Sequence, residues 1–446
     1  MRAGAAIQDN NAPRFGAEEK GLQSALSELA YAVERTPIYR RHLASHSLKV
    51  EEIQTADDFA SIPLTSKEDF RLGFPLDVMA SGYAIDAGTL MQTQSSGTGG
   101  DRLTTLELEH VYSARALRCA SVNPELHKTL LQPHCRQIRL AAPHCASIGC
   151  AIPVAPANDR GMVQTGTVVL KVESDLLATS VDCWIAAIEQ LERLRPQLYY
   201  VDPAHMCELA LQAGALNCDL FPAPIMMNYS LPLGIYRRHI RRAFAETVPP
   251  ITALFSMSEL GWLAAECPVG ALHLNDTSFY LELLCDGRPA SSGEIGELVV
   301  TTLDHGCTPR IRYRTRDLFT ATGKACKCGH PSAVVRLEGR LQDCIVQNGA
   351  VVLTPMAVDE IIGEPVWLRR YRLHQLDEAR LRLMVITDGS VTRDLEALAD
   401  RLRERLLPRS ELVVEQVHHI ASALSGKFSA CMSDHAKGLV AEGWAL

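Results

Sequence analysis

The sequence predicts an α/β protein: a large N-terminal domain of helix-flanked β-sheets plus a β unit, then a small α+β C-terminal domain. Three patterns in its 446 residues carry that reading. From about residue 88 to 255, strand-like apolar runs alternate with amphipathic helix-like ones. From 278 to 321, strand follows strand, the mark of an antiparallel unit. Beyond 343, short strands and two helices resume over about a hundred residues.

In order along the chain, 17–45 space Leu22, Leu26, Leu29, Ala32 and Val33 as one helical face. Thr65 and Glu68 in "LTSKEDFRLGF" have the spacing of a capping box opening a short helix. "TLMQTQ" is a strand leading into the glycine-rich "TQSSGTGGDRL" (93–103), which is expected to feed the helix "ELEHVYSARALRCASV". "QIRLAAP", "GTVVLKV", "QLYYVD", "APIMMN" and "ITALF" are the further strands of the alternating region. "SVDCWIAAIEQLERLR", "PAHMCELALQAGA" and "LGIYRRHIRRAFAE" are its helices. "SFYLELL", "GELVVTTL" and "RYRTRDLFTAT" make the β unit. The division falls at 339–343, giving domains 1–340 and 341–446.

Composition narrows the function class without naming a chemistry. With 47% hydrophobic and 22% charged residues, the chain is an ordinary globular sequence. A net charge of −8 offers no general attraction to nucleic acid or anionic membrane. The opening "MRAGAAIQDNNAPRFG" lacks the apolar centre of a signal peptide, and fourteen cysteines then suggest reduced thiols in a cytoplasmic protein.

Five motifs carry chemistry, each compatible alone with a plain structural role. The glycine loop could wrap backbone N–H groups around a phosphate, although Asp101 stands where phosphate loops usually carry lysine. In "FSMSELGW", Glu259 could reach a hard cation and Phe255 could offer a flat face to a base. In "RIRYRTRDLF", Asp317 could accept hydrogen bonds from a ribose diol. "RLEGRLQD" reads as a sharp Gly-Arg turn at the domain boundary, and "LSGKFSA" places Lys427 on a loop near the C-terminus.

The order of these motifs resembles the adenylate-forming superfamily of acyl-CoA synthetases, luciferases and peptide-synthetase adenylation domains. Through "IPLTSKEDF", "GEIGELVVTTL", "IRYRTRDL" and "KCGHP", it is most similar to the phenylacetate–coenzyme A ligase branch. The resemblance implies ATP-dependent activation of a small aromatic carboxylic acid to an acyl-adenylate, then transfer to coenzyme A. A carrier protein or an amine or hydroxyl acceptor is the neighbouring alternative, and a non-catalytic degenerate homologue is the third. It implies phosphate contacts from Ser95, Ser96, Gly97, Thr98 and Gly100, and nucleotide contacts from Asn228, Phe255, Ser258, Asp317 and Arg340. Glu259 is implied to hold Mg²⁺. Lys427 is implied to reach the reacting groups from a mobile C-terminal domain hinged at Gln342. Cys267, His273, Cys326 and Cys328 are implied as a structural zinc site, and a homodimer is expected. The basic stretch Arg369, Arg370, Arg372, Arg380 and Arg382 is a candidate contact for the phosphates of CoA.

Overall fold

The computed structural model describes residues 19–85, 88, 90–95, 102–132, 135–141, 162–163, 167–170, 172–244, 247–389, 393–423 and 425–444. Thirteen strands of the described residues form one continuous sheet, in which the expected β unit is joined edge to edge to the helix-flanked part. Strand Ile251–Met257 is the joint. One edge pairs in parallel with Ile225–Met227, while the other pairs antiparallel with Gly261–Glu266. The parallel side continues through Leu198–Val201, Gln137–Leu140 and Thr167–Val169. The antiparallel side continues through Leu272–Leu274, Val334–Arg340, Tyr313–Ala321, Ile295–Thr302 and Phe279–Cys285. A strand has two hydrogen-bonding edges, so a run such as "ITALFSM" can serve both halves, which its own sequence does not reveal.

Local chemistry explains where the elements differ from expectation. The N-terminal helical stretch is two helices, Glu19–Arg35 and Pro37–Ser45, because Pro37 holds Thr36 extended. The capping box uses Ser66 and Asp69 instead of Thr65 and Glu68, since Thr65 bonds the strand at Arg312 and Arg314. The glycine-rich loop does not enter a helix. It joins the antiparallel strands Leu90–Gln94 and Thr104–Leu108, and the helix begins only at Glu109. Ser95 closes the base of this hairpin through N–H to Leu103 O and Oγ from Leu103 N.

Beyond residue 343, strands Glu411–Gln416, Arg380–Thr387, Leu368–Gln375 and Cys431–Ser433 form a second sheet. Three helices accompany it among the described residues, Pro355–Ile362, Arg393–Arg403 and Asp434–Ala441, one more than expected. Its buried side chains are continuous with those of the parallel half, from Ile138 through Met227 to Leu383 and Phe428. Arg370, fully buried, is paired with Glu208 at 2.9 Å across this junction. Arg372 donates to Ser429 O at 2.8 Å. These two arginines therefore bind the protein to itself and are not available to CoA phosphates. "RLEGR" is strand, not turn. Gly339 has φ +117°, and a Cβ there would lie 2.7 Å from Pro355 Cγ.

Candidate active site

The C-terminal ends of three adjacent parallel strands, leading to Asp202, Asn228 and Ser258, face the second sheet across a cleft. This is where open α/β sheets place ligands. The cleft has a volume of about 310 Å³, the size of a small-molecule site. Its walls include Asn228, Phe255, Ser258, Asp317, Arg340 and Lys427, six expected site residues drawn from 200 positions of sequence.

Strand register does much of this work. Asp317 and Arg340 are direct cross-strand partners, and Arg340 Nε lies 3.5 Å from Asp317 Oδ1. Burial raises the Asp317 pKa from 3.8 to about 6. Arg340 opposes that rise, while Glu259 and Asp343 add to it. Glu259 is therefore close enough to be felt at Asp317, from behind the cleft wall formed by Ser258 and Gly261. Glu259 itself is buried and accepts from Tyr313 OH at 3.0 Å. Gly261, at φ +83°, turns the chain tightly behind it, where a Cβ would sit 2.9 Å from Tyr112 Cδ1. Ser258 O accepts from Tyr112 OH at 2.8 Å. Phe255 lines the cleft but stands edge-on to Phe319 at 5.0 Å. Asn228 is also at the wall, with its amide bonded to Tyr200 OH and Ser256 Oγ.

Lys427 sits where the second sheet meets the cleft, and its Nζ donates to Tyr229 O at 3.0 Å. The preceding turn is held by Gly426 N to Ala423 O, and Phe428 is clamped between the Arg370 and Arg372 guanidinium groups at 4.7 Å each. Beneath lies Asp202, fully buried. Burial works against its charge, but His205, Lys427 and Ser230 hold it below its ordinary range. Gln342 is in the short helical turn Leu341–Asp343 that links the two sheets. Ser96, Gly97, Thr98, Gly100 and Asp101 lie outside the described residues.

One cation was missed in the sequence. Lys67 opens the helix Lys67–Gly73, and burial together with Arg340 pulls its ammonium below the ordinary lysine range, against Glu259 and Asp317. No hydrogen bond or ion pair ties its ammonium among the described residues. Only its place after "PLTS", a helix start, marks it in sequence, and helix starts rarely signal a cation.

A second constellation lies away from the cleft. Cys267, His273, Cys326 and Cys328 bring their ligand atoms within 4.8 Å of one another. Cys267 Sγ and Cys326 Sγ are 3.8 Å apart, and Cys328 Sγ is 3.3 Å from His273 Nε2. A tetrahedral Zn²⁺ with Zn–S of about 2.3 Å requires S···S edges of about 3.8 Å. His273 Nδ1 lies 2.9 Å from Ser332 O, which fixes the tautomer that leaves Nε2 to ligate. The donor set fits zinc. The described cysteines are all free thiols.

The chain is 24% identical over 348 residues to the phenylacetate-coenzyme A ligase of Escherichia coli (strain K12), covering 75% of this chain and 73% of that protein. It is 24% identical over 373 residues to the ligase of the same name from Thermus thermophilus, covering 80% and 79%. In structure, 97% of the chain superposes on 93% of a 2-hydroxyisobutyryl-CoA ligase in the postadenylation state with 2-HIB-AMP, at a TM-score of 0.71 and 16% identity. The same ligase with CoA in the thioesterification state gives 0.56 over 98% of this chain and 96% of that one. No protein-family model matches the chain. The fold is that of the adenylate-forming CoA ligases. The sequence relatives are phenylacetate–coenzyme A ligases.

Proposed function

We propose that this protein is an AMP-forming acid–thiol ligase that activates a small carboxylic acid with ATP and passes the acyl group to coenzyme A. The supporting observation is the convergence of Asp317, Arg340 and Lys427 on one cleft, with Glu259 near enough to act on Asp317. A carboxylate oxygen of the acid attacks the α-phosphorus, the bond to the bridging oxygen of pyrophosphate breaks, and pyrophosphate leaves. The CoA sulfur then attacks the acyl carbon, and AMP departs with the electrons of the C–O bond. Negative charge builds on the α-phosphate and the leaving group in the first step, so preorganised cations there lower the barrier. Lys427, Arg340 and Lys67 supply them. Asp317 accepts from the ribose diol. Glu259 would hold Mg²⁺, which when bound neutralises phosphate charge. Retention of all these groups argues against a degenerate, non-catalytic homologue.

The better superposition on the postadenylation state supports an orientation in which residues 341–446 act as a lid closed for adenylation, with Gln342 at the hinge. Cys267, His273, Cys326 and Cys328 would hold a zinc ion with no open position, a site that stabilises the fold and takes no part in turnover. We place the enzyme in the cytoplasm, as a homodimer.

Acid-dependent pyrophosphate release, screened over a carboxylic-acid panel with direct assay of acyl-CoA, tests the reading. Lys427→Ala should lower release by about 10²–10³ while nucleotide binding persists. Adenylate without acyl-CoA would move the acceptor to a carrier protein or an amine. No release with any acid would defeat the ligase assignment.

A further inference from the structure

Helix Pro203–Ala215 begins on a buried carboxylate. Asp202 caps it: Oδ1 accepts from Ala204 N at 2.9 Å and His205 N at 3.3 Å, and lies 3.1 Å from His205 Nδ1. The residue is 0% exposed, and Oδ2 makes no hydrogen bond to the described residues. Ser, Thr or Asn would cap the helix as well without the cost of burying a charge. An acid here is therefore useful only if a cation meets it.

Lys427 is that cation. Register pairs Val201 with Met227, so Asp202 and Asn228 leave neighbouring strand ends together, and Asn228 N donates to Val201 O at 2.8 Å. The chain then turns tightly, with Ser230 N donating to Asn228 O at 3.0 Å. Tyr229 between them takes φ +75°, a strained conformation for a residue with a Cβ. It is the carbonyl of this strained residue that receives the Lys427 ammonium, at 3.0 Å. Burial opposes the Asp202 charge, and His205, Lys427 and Ser230 together outweigh it, so the carboxyl stays below its ordinary range. The acid belongs to the thirteen-stranded sheet and the lysine to the loop entering strand Cys431–Ser433 of the second. Asp202 lies beneath the cleft wall and touches no substrate. A lysine is a point charge on a flexible four-carbon stem, so its value to a developing negative charge depends on where it is held.

We propose that Asp202 is a positioning residue: fixed as a helix cap, it draws the Lys427 ammonium onto the wall at Tyr229 and holds it where the carboxylate and the α-phosphate react. This deepens the ligase reading and rests on it.

The test is a double-mutant cycle of Asp202→Asn and Lys427→Ala in the full chain. It is read as Tm and as acid-dependent pyrophosphate release with ATP, Mg²⁺ and the best acid of the carboxylic-acid panel. Asparagine caps a helix as well as aspartate, so Asp202→Asn removes the charge and keeps the fold, and Asp202→Ser should behave alike. Asp202→Asn should lower kcat for release roughly tenfold with KM for ATP nearly unchanged, because the lost effect falls on Lys427 and not on bound nucleotide. In Lys427→Ala the same substitution should change release by less than about twofold, since the group it acts through is gone. A residue needed only for folding would cost as much in both backgrounds. The Tm loss from Lys427→Ala should be smaller in Asp202→Asn than in the wild type, because no buried carboxylate is then left unmatched. Equal losses of release from Asp202→Asn in both backgrounds, or additive Tm losses, would overturn the positioning role and leave the ligase assignment intact. Coupled Tm losses without release from any acid would keep the Asp202–Lys427 pair and defeat the ligase assignment, and with it the catalytic use of the pair.

Discussion

The ribose contact proposed for Asp317 makes nucleotide recognition dependent on pH in a way that can be worked out from its surroundings. Its carboxyl is buried under the Arg340 side chain, and its pKa is raised from 3.8 to about 6, burial being the largest cause. That rise corresponds to about 3 kcal/mol against the charged form in the free protein. The sign for stability follows directly: the contribution of the protonated group is fully present below pH 3.8 and is lost as pH rises through 6. Binding runs the other way, because a ribose diol needs the carboxylate as acceptor. Below pH 6 that form falls about tenfold per pH unit, so affinity should be about tenfold weaker at pH 5 than at pH 7.5. Adenosine is the right probe, since a nucleotide phosphate titrates near 6 itself. Calorimetric or competition affinities for adenosine should show this slope in the wild type. In Asp317→Asn they should be weak and flat over the same interval. A flat wild-type profile, or an equal slope in Asp317→Asn, would refute the assignment of Asp317 to the ribose.

Three further outcomes are expected. Lys67→Ala should lower the pyrophosphate-release rate by roughly 10²-fold with the fold intact, and Lys67→Arg should recover part of it; an unaltered rate would remove Lys67 from the phosphate site. Protein purified without added metal should contain close to one zinc per chain, and Cys328→Ser should lose it together with several degrees of Tm; a zinc content near zero would end that proposal. Gly339→Ala forces a Cβ against Pro355 at φ +117°, and should cost on the order of 1–3 kcal/mol in denaturant unfolding. A loss within experimental error there would mean that the Gly339–Pro355 approach relaxes freely.

Much of the site was readable before the fold because its chemistry lives in short motifs. "RYRTRDLF" and "RLEGR" each contain one residue type suited to nucleotide contact, and pairing of their strands set Asp317 opposite Arg340. The Cys/His set was equally visible as residue types, but only folding brought Cys267 and His273 to Cys326 and Cys328. Other features were not legible. "TQSSGTGG" reads the same whether a helix or a strand follows, and "TTLEL" proved to be the returning strand of a hairpin. Arg370 and Arg372 read as candidate contacts for CoA phosphates, because nothing in "LRRYRLHQ" announces Glu208 or Ser429 as partners from distant segments. Lys67 and Arg139 were silent for a related reason: one opens a short helix, the other sits inside an apolar strand, and neither position signals its tertiary surroundings.

Sequence alone determined the kinds of groups this protein brings to a nucleotide and an acid, and the alternation of strands and helices that carries them, because local patterns of polarity and turn chemistry act over a few residues. Tertiary structure alone decided which groups meet. One strand joins parallel and antiparallel halves into a single sheet, the second sheet delivers Lys427 to Tyr229, and Arg139 faces inward. Those outcomes depend on burial and on contacts between residues far apart in the chain, whose energies no short segment contains.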